Sequence, residues 1–261
     1  MPEGDTIYRT AVLLGRVLHH QQIRNATTQR IQITPEMLEG RTVEQVESRG
    51  KHLLIHLNDQ HCIHSHLGMT GSWHVYRLEE VWRKPKKHAV LSITTETNCV
   101  VCFRPKVIRR MSAAELRRDV VLQRLGPDLL GPPIPDAVFL SRIRTQNHES
   151  IGVAVMNQTV VCGIGNVYKS EILFLEGICP LSLVDSLSDA TLLAIRDRAV
   201  KLMKRNVGTG PRRTRFRGDR LRLWVYRRRG ETCIKCGAII EMLRQGDLAR
   251  STYWCPECQQ P

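Results

Sequence analysis

The sequence predicts an α+β protein of several domains: an N-terminal helix and β-sandwich, a helical middle, and a C-terminal β-hairpin held by four cysteines. Three observations carry that reading. From about Val17 to Arg110, short β-branched and aromatic runs alternate with turns: "RIQI", "HLLIHL", "CIHSHL", "SWHVYRL", "HAVLSITTE" and "CVVCFR". Several short strands at regular spacing are the pattern of an all-β sandwich. From 136 to 206 the period becomes helical, in "AVFLSRIRT", "SIGVAVMNQ", "NVYKSEILFLEG" and "SDATLLAIRDRAVKLMKRN". Near the end, "CIKC" at 233–236 and "CPEC" at 255–258 repeat one spacing.

Taken in order, the opening "MPEGDT" reads as a helix start. Proline suits a first turn, where its missing N–H is not needed. Asp5 is a candidate N-cap, and Ile7, Ala11, Leu14 and Leu18 then form one apolar stripe. A second helical pattern runs from Ser112 to Leu125. "GPDLLGPPIP" at 126–135, with two glycines and four prolines, ends it as a linker. Between the second and third helices, "VVCGIGN" sets a glycine turn before a helix N-terminus. Amides there can cradle a phosphate; packing of helix on helix explains the same glycines as well. The divisions drawn are 1–125, the linker 126–135, 136–225 and 226–261.

The 261 residues carry 39 Lys and Arg against 25 Asp and Glu, a formal charge of +14. That balance points to a polyanionic partner, nucleic acid before a membrane surface. No run of eighteen apolar residues and no leader-like segment occurs; a monomer in the cytoplasm, without membrane, is expected. Between Lys201 and Gly230 stand twelve Lys or Arg against the single acid Asp219, with Phe216, Trp224 and Tyr226 interleaved. Such a stretch is either a solvated loop or a nucleic-acid surface.

The nine cysteines divide in two. Cys62, Cys99, Cys102, Cys162 and Cys179 sit among apolar residues and read as buried. In "NCVVCF" the two cysteines are three apart and point to opposite faces of a strand. In "HCIHSH", His64 and His66 share a strand face and read as structural. Cys233, Cys236, Cys255 and Cys258, in contrast, form C-x2-C-x18-C-x2-C, the spacing of a zinc ribbon. Four thiolates leave no open position on the metal, so one structural zinc is expected. The hairpin turns at Gly246–Asp247 and presents Arg244 and Arg250.

Five blocks now stand in order: "MPEGDT", "SRGKHLLI" at 48–55, "HLGMTGSW" at 66–73, "NQTVVCGIGNVYKSEILF" at 157–174 and "ARSTYWCPEC" at 249–258. With them the chain resembles, over its whole length, bacterial members of the formamidopyrimidine-DNA glycosylase and endonuclease VIII family. The resemblance implies a β-sandwich, a helix-two-turn-helix domain and a zinc ribbon, with damaged double-stranded DNA as partner. It implies removal of an oxidised base, followed by strand cleavage at the abasic sugar. Removal of Met1 would free Pro2 as a secondary amine that can attack C1′, expel the base and leave an iminium; a typical α-amino group titrates near pH ~8. Glu3 would move protons at the sugar. By the same resemblance Lys51 contacts a phosphate near the lesion, and Asn166 and Arg250 grip the flanking phosphates. Met69 fills the space left by the extruded nucleotide.

Three departures from the family pattern stand out, the first touching proton transfer at the sugar and the other two the substrate. Members commonly open proline-glutamate-glycine-proline-glutamate, whereas Asp5 and Thr6 take the last two places here. Guanine-directed members intercalate an Arg-Phe pair opposite the lesion; "RPKVIRRMS" at 104–112 offers Val107 and Ile108, with Arg109 or Arg110 as substitutes. Third, "RRTRFRGDRLRLWVY" at 212–226 is short and shows no base-capping loop. The last two losses favour the endonuclease VIII branch and oxidised pyrimidines. The alternatives are a formamidopyrimidine- or 8-oxoguanine-directed glycosylase, and a non-catalytic zinc-ribbon DNA-binding protein, which would have no use for "PEG" at its start.

Overall fold

Helix α1 (Gly4–Leu18) buries Ile7, Ala11, Leu14 and Leu18, the stripe read from the sequence, in a computed structural model that describes residues 2–30, 32–216 and 218–260. Its cap differs from expectation. Glu3, extended, is the N-cap, and its carbonyl accepts the amides of Thr6 and Ile7 at 2.9 and 3.1 Å. Asp5 lies two residues further on, within the first turn, where an acid faces the positive end of the helix. Pro2 therefore precedes the helix instead of joining its first turn.

Eight strands follow among the described residues: β1 (Asn25–Thr28), β2 (Val43–Arg49), β3 (His52–Leu57), β4 (His61–His66), β5 (Ser72–Arg77), β6 (Ala89–Thr94), β7 (Asn98–Phe103) and β8 (Val107–Ser112). They form two four-stranded antiparallel sheets, β1-β6-β7-β5 and β2-β3-β4-β8. Leu53, Ile55, Ile63 and Ile108 of one sheet share a core with Leu91, Ile93, Val100 and Cys102 of the other and with the α1 stripe. The alternation that builds this core separates the two cysteines of "NCVVCF" as expected. Cys102 enters the core, while Cys99 packs with Tyr76, Trp82 and Phe103 in a smaller cluster. "RIQI" is not a strand: Gln32 and Ile33 form a turn and a bend, Ile31 lies outside the described residues, and the strand falls earlier, at β1.

The helical pattern from Ser112 to Leu125 breaks at Asp119. Helix α2 (Ala113–Arg118) starts at a capping box between Ser112 and Glu115, and α3 (Val120–Gln123) starts where Asp119 accepts the Leu122 amide at 2.9 Å. One compact unit spans residues 1–123, and a second spans 124–261. The stretch read as a linker is bonded into the second: the Gly126 amide meets the Gln158 carbonyl, Cys162 N–H meets Pro127, and Leu129 is buried.

In the second unit, helices α4 (Asp136–Ile143), α5 (Ile151–Ala154), α6 (Asn166–Glu176) and α7 (Asp189–Arg205) enclose Phe139, Ile151, Tyr168, Ile172 and Leu202. Helix α5 is a single turn, shorter than "SIGVAVMNQ" suggested. Strands β9 (Glu241–Gln245) and β10 (Arg250–Trp254) make the C-terminal hairpin. Two amide side chains dock it. Gln245 donates to the Pro180 carbonyl at 2.8 Å, and Gln259 donates to that of Ile178 at 2.8 Å.

Within the first unit two imidazoles are buried together, Nδ1 of His52 lying 2.8 Å from Nε2 of His64. Burial pushes His52 down to about 3 and His64 down to about 4, with neighbouring positive charge adding to it. Both rings are therefore neutral in the folded chain, while an unfolded histidine titrates near ~6.5. As pH falls below that value the unfolded chain takes up protons that the folded one refuses, so stability falls. Denaturant unfolding should lose about 1 kcal/mol per pH unit per histidine between about pH 6 and 4.5. A chain carrying His52→Gln and His64→Gln should lose that slope; an unchanged slope contradicts neutral burial.

Candidate functional site

The first unit carries four of the residues singled out from sequence. Pro2 is half-buried and Glu3 fully buried at the head of α1. Lys51 sits in the two-residue turn Gly50–Lys51 that joins β2 to β3, where Arg49 pairs with His52. Gly50 holds the turn with φ +56°, in the left-handed region that favours glycine. Met69 stands on the loop from β4 to β5 and is 72% exposed. That loop is built of glycine for a steric reason. A Cβ on Gly71 would lie 2.4 Å from the Leu67 carbonyl oxygen and 2.9 Å from that of Arg104. An unbranched apolar group held outward on a tight loop can act as a wedge between bases.

The residues offered as substitutes for an intercalating pair do not occupy such a position. Val107 to Arg110 all lie within β8: Ile108 is in the core, Arg109 bonds His64 and Asp119, and Arg110 bonds Asp59. Strand register decides this, because residues paired along β4 cannot also project from a loop tip.

In the second unit Asn166 is the first residue of α6, after the N-cap Gly165. Its Nδ2 donates to Ser251 Oγ at 3.5 Å, beside Arg250 at the start of β10. Ser170, one turn on, accepts the Tyr253 amide at 3.1 Å. The structure thus brings Asn166 and Arg250 onto one seam between helix and hairpin. The sequence pattern did not single out Ser170 and Ser251, since a serine in a helix and one in a strand are individually uninformative.

The same helix carries a residue that pattern reading missed. Glu171 has no exposure, yet its carboxylate accepts the Thr214 hydroxyl and the amides of Trp224, Val225 and Tyr226 at 2.8, 2.9 and 2.9 Å. Burial pushes its pKa up, and the four donors act against that rise. The one signal in sequence was an acid inside the apolar run "SEILF".

Glu171 anchors the basic segment, and several arginines fold that segment from within. Arg213 donates to the carbonyls of Phe216 and Asp219, and Arg205 to those of Arg213 and Arg215. Arg215 pairs with Asp219 at 3.0 Å and stacks 4.2 Å from the Trp224 ring centre. Arg228 bonds Glu231 and the Trp224 and Thr232 carbonyls. The stretch is neither a loose loop nor a uniform cationic face. Lys201, Lys204, Arg220, Arg222, Arg227 and Arg229 are exposed cations, and Arg217 lies outside the described residues.

The four C-terminal thiols are the one metal-ligand cluster among the described residues. Their sulfurs all lie within 4.8 Å of one another, with Cys236–Cys255 at 3.4 Å and Cys233–Cys258 at 3.8 Å. A tetrahedral zinc with bonds of about 2.3 Å needs sulfurs about 3.8 Å apart. The donor set fits one structural zinc. Cys233 and Cys255 are buried with Phe174, Val225 and Ile240, so the metal centre is part of the ribbon's small core.

Comparison with known proteins agrees at every segment. Residues 1–114 match the formamidopyrimidine-DNA glycosylase N-terminal domain, 125–217 its H2TH domain, and 230–261 the zinc finger found in FPG and IleRS. The "Probable endonuclease 8 2" of Streptomyces coelicolor is 37% identical over 99% of this chain and 94% of its own length. The chain belongs to the formamidopyrimidine-DNA glycosylase and endonuclease VIII family. Other members are similar along the whole chain. The DNA-(apurinic or apyrimidinic site) lyase Nei2 of Mycolicibacterium smegmatis is 32% identical, with 99% of each chain covered. The endonuclease 8 of Escherichia coli is 29% identical, over 99% of this chain and all of its own. Among solved structures, the Lactococcus lactis glycosylase Fpg in complex with DNA containing an N7-benzyl-Fapy-dG matches all of both chains with TM-score 0.83 at 22% identity. No helix among the described residues is long and apolar enough to cross a membrane.

Two outcomes test this site. Glu171→Gln turns an amide N–H toward backbone N–H donors and should cost about 2 kcal/mol. Hydrogen exchange should show lost protection at 224–226 with zinc retained; unchanged protection contradicts the anchor. Arg220, Arg222 and Arg229 changed together to Ala should flatten the salt dependence of DNA affinity by about two to three units of log–log slope. Arg213→Ala should instead loosen the segment. Equal slopes for the triple variant and the parent would mean that the exposed cations do not meet phosphate.

Proposed function

We propose that this family member is a bifunctional DNA glycosylase and abasic-site lyase of base-excision repair, directed at oxidised pyrimidines in double-stranded DNA. The observation that carries the branch is the register of β8. Among the described residues Ile108 is in the core and Arg109 and Arg110 are bonded into the sheet, so Val107–Arg110 offer no exposed Arg-Phe-like pair, whereas Met69 is exposed on the β4–β5 loop. The relatives named endonuclease 8 support the same branch.

The chemistry begins when Met1 is removed and Pro2 becomes a secondary amine. Its nitrogen lone pair attacks C1′, the glycosidic bond breaks, and the base leaves with the bonding pair. The added nitrogen gives up its proton to the departing base, its lone pair then breaks the C1′–O4′ bond as O4′ is protonated, and the ring-opened sugar is left as an iminium on Pro2. The cation acidifies C2′–H; loss of that proton expels the 3′-phosphate, and a second elimination expels the 5′-phosphate. Glu3 is held at the head of α1 by the carbonyl that caps the helix and exchanges protons with the sugar. Lys51 holds a phosphate near the lesion. Asn166 and Arg250 hold its neighbours, so that the kinked backbone keeps the nucleotide out of the stack. Zinc fixes the hairpin that carries Arg250 and takes no part in bond breaking. In this reading 1–125 carry the chemistry, 136–225 and 226–261 bind DNA, and the protein acts as a monomer on cytoplasmic DNA.

Pro2→Gly should reduce covalent trapping by borohydride on damaged duplex severely. Glu3→Gln should lose base removal but keep some cleavage of a ready-made abasic site; equal loss of both would leave Glu3 only structural. Cleavage of thymine-glycol and 8-oxoguanine duplexes, compared side by side, tests the branch. Faster turnover of thymine glycol is expected, and preference for 8-oxoguanine would favour the guanine-directed alternative. No cleavage of any abasic duplex would favour the non-catalytic one.

A further inference from the structure

Four polar side chains on the outer face of the β2-β3-β4-β8 sheet form a chain whose direction is fixed by chemistry. Nε of Arg109 can only donate, and it lies 3.1 Å from Nδ1 of His64. That nitrogen must accept, so the neutral His64 ring carries its proton on Nε2. Nε2 in turn faces Nδ1 of His52 at 2.8 Å. His52 must accept there and carries its own proton on Nε2. At the other end Asp119 takes Nη2 of Arg109, and it is itself fixed by the Leu122 amide at the start of α3. Moving the proton of His64 to Nδ1 would set two donors against each other, so the order Asp119, Arg109, His64, His52 has one arrangement.

The chain ends between two elements of the proposed DNA surface. His52 follows Lys51 in sequence. Its ring centre lies 4.9 Å from that of His66, whose Nδ1 accepts the Gly68 amide at 3.2 Å in the loop that carries Met69. A ring pinned at this point cannot rotate without disturbing the neighbouring turn and loop.

We propose that the Asp119–Arg109–His64–His52 chain is a positioning device: by locking the place and tautomer of His52 it holds the Lys51 turn and the Met69 loop in the arrangement that engages damaged DNA. The inference rests on the reading of Lys51 and Met69 given above. His52, His64, Arg109 and Asp119 are positioning residues and none of them touches the reacting atoms.

The test joins a spectroscopic readout to binding, with the full zinc-loaded chain. Nitrogen-15 spectra at pH 7 should show His52 and His64 both protonated on Nε2, with bare Nδ1; a proton on Nδ1 of either ring, or a charged ring, overturns the proposal. His64→Gln keeps an acceptor toward Arg109 and a donor toward His52, whereas His64→Leu keeps neither. His64→Leu should weaken affinity for duplex with a stable abasic-site analogue about tenfold, the worth of one such hydrogen bond, with affinity for undamaged duplex little changed. His64→Gln should restore most of it. Equal affinities for all three proteins, or a Gln variant as weak as the Leu variant, overturn the proposal. If the Leu variant does not fold, Asp119→Asn takes its place. It leaves the volume intact but removes the charge that holds Arg109, and it should shift the His52 signals and weaken lesion binding; no change in either overturns the proposal. Borohydride trapping of the parent chain in the same series separates the two readings. Its absence would refute the chemistry assigned to Pro2, while tautomer and affinity would still decide on the relay.

Discussion

A carboxylate with no solvent exposure, Glu171, sets the geometry of the second unit. Removed from water, it is stable only because four donors converge on it, and those donors come from Thr214 and from three consecutive amides at 224–226. Consecutive amides aimed at one anion oblige that backbone to curl around the side chain. The curl delivers the chain to the first cysteine knuckle in a fixed orientation, with Val225 buried beside Cys233. Five residues earlier on the same helix is Asn166. The helix that starts the candidate phosphate contact is therefore also the helix that fastens the basic segment.

From this follow the separate duties of charge in the region. Arginine can fold a segment by bonding carbonyls or can attract an anion, and the same guanidinium donors serve both. Arg213, Arg215 and Arg228 are used inwardly, whereas Arg220, Arg222 and Arg229 stay in water. Zinc closes the other end of the ribbon, and the amides of Gln245 and Gln259 dock it on Pro180 and Ile178. A small hairpin could not hold Arg250 in place by its own apolar burial. Metal and buried amides supply that rigidity.

Local pattern made much of this legible. The α1 stripe, the strands β3 to β7, the opposite faces of Cys99 and Cys102 and the zinc spacing are each set by residues close in sequence. What escaped depends on partners far away. Glu171 meets donors more than forty residues on, and nothing in "SEILF" announces them. Arg109 reads as a free cation in "VIRRMS" until β8 pairs with β4 and brings it to His64. Asp5 has the chemistry of a cap, but the helix begins two residues earlier because Glu3 is extended and its carbonyl accepts the first bonds. "RIQI" has strand composition, yet a turn and a bend take Gln32 and Ile33, and the sheet pairing goes to Asn25–Thr28 with β6.

The account stands on the amine of Pro2 being the group that joins the sugar. The most direct measurement is mass spectrometry of the borohydride-reduced protein–DNA conjugate after digestion with trypsin and nuclease. The account predicts the reduced sugar on the peptide "PEGDTIYR", residues 2–9, attached at the Pro2 nitrogen, with Met1 absent. A sugar attached to Lys51 or to any other lysine, with the N-terminal peptide unmodified, would contradict it.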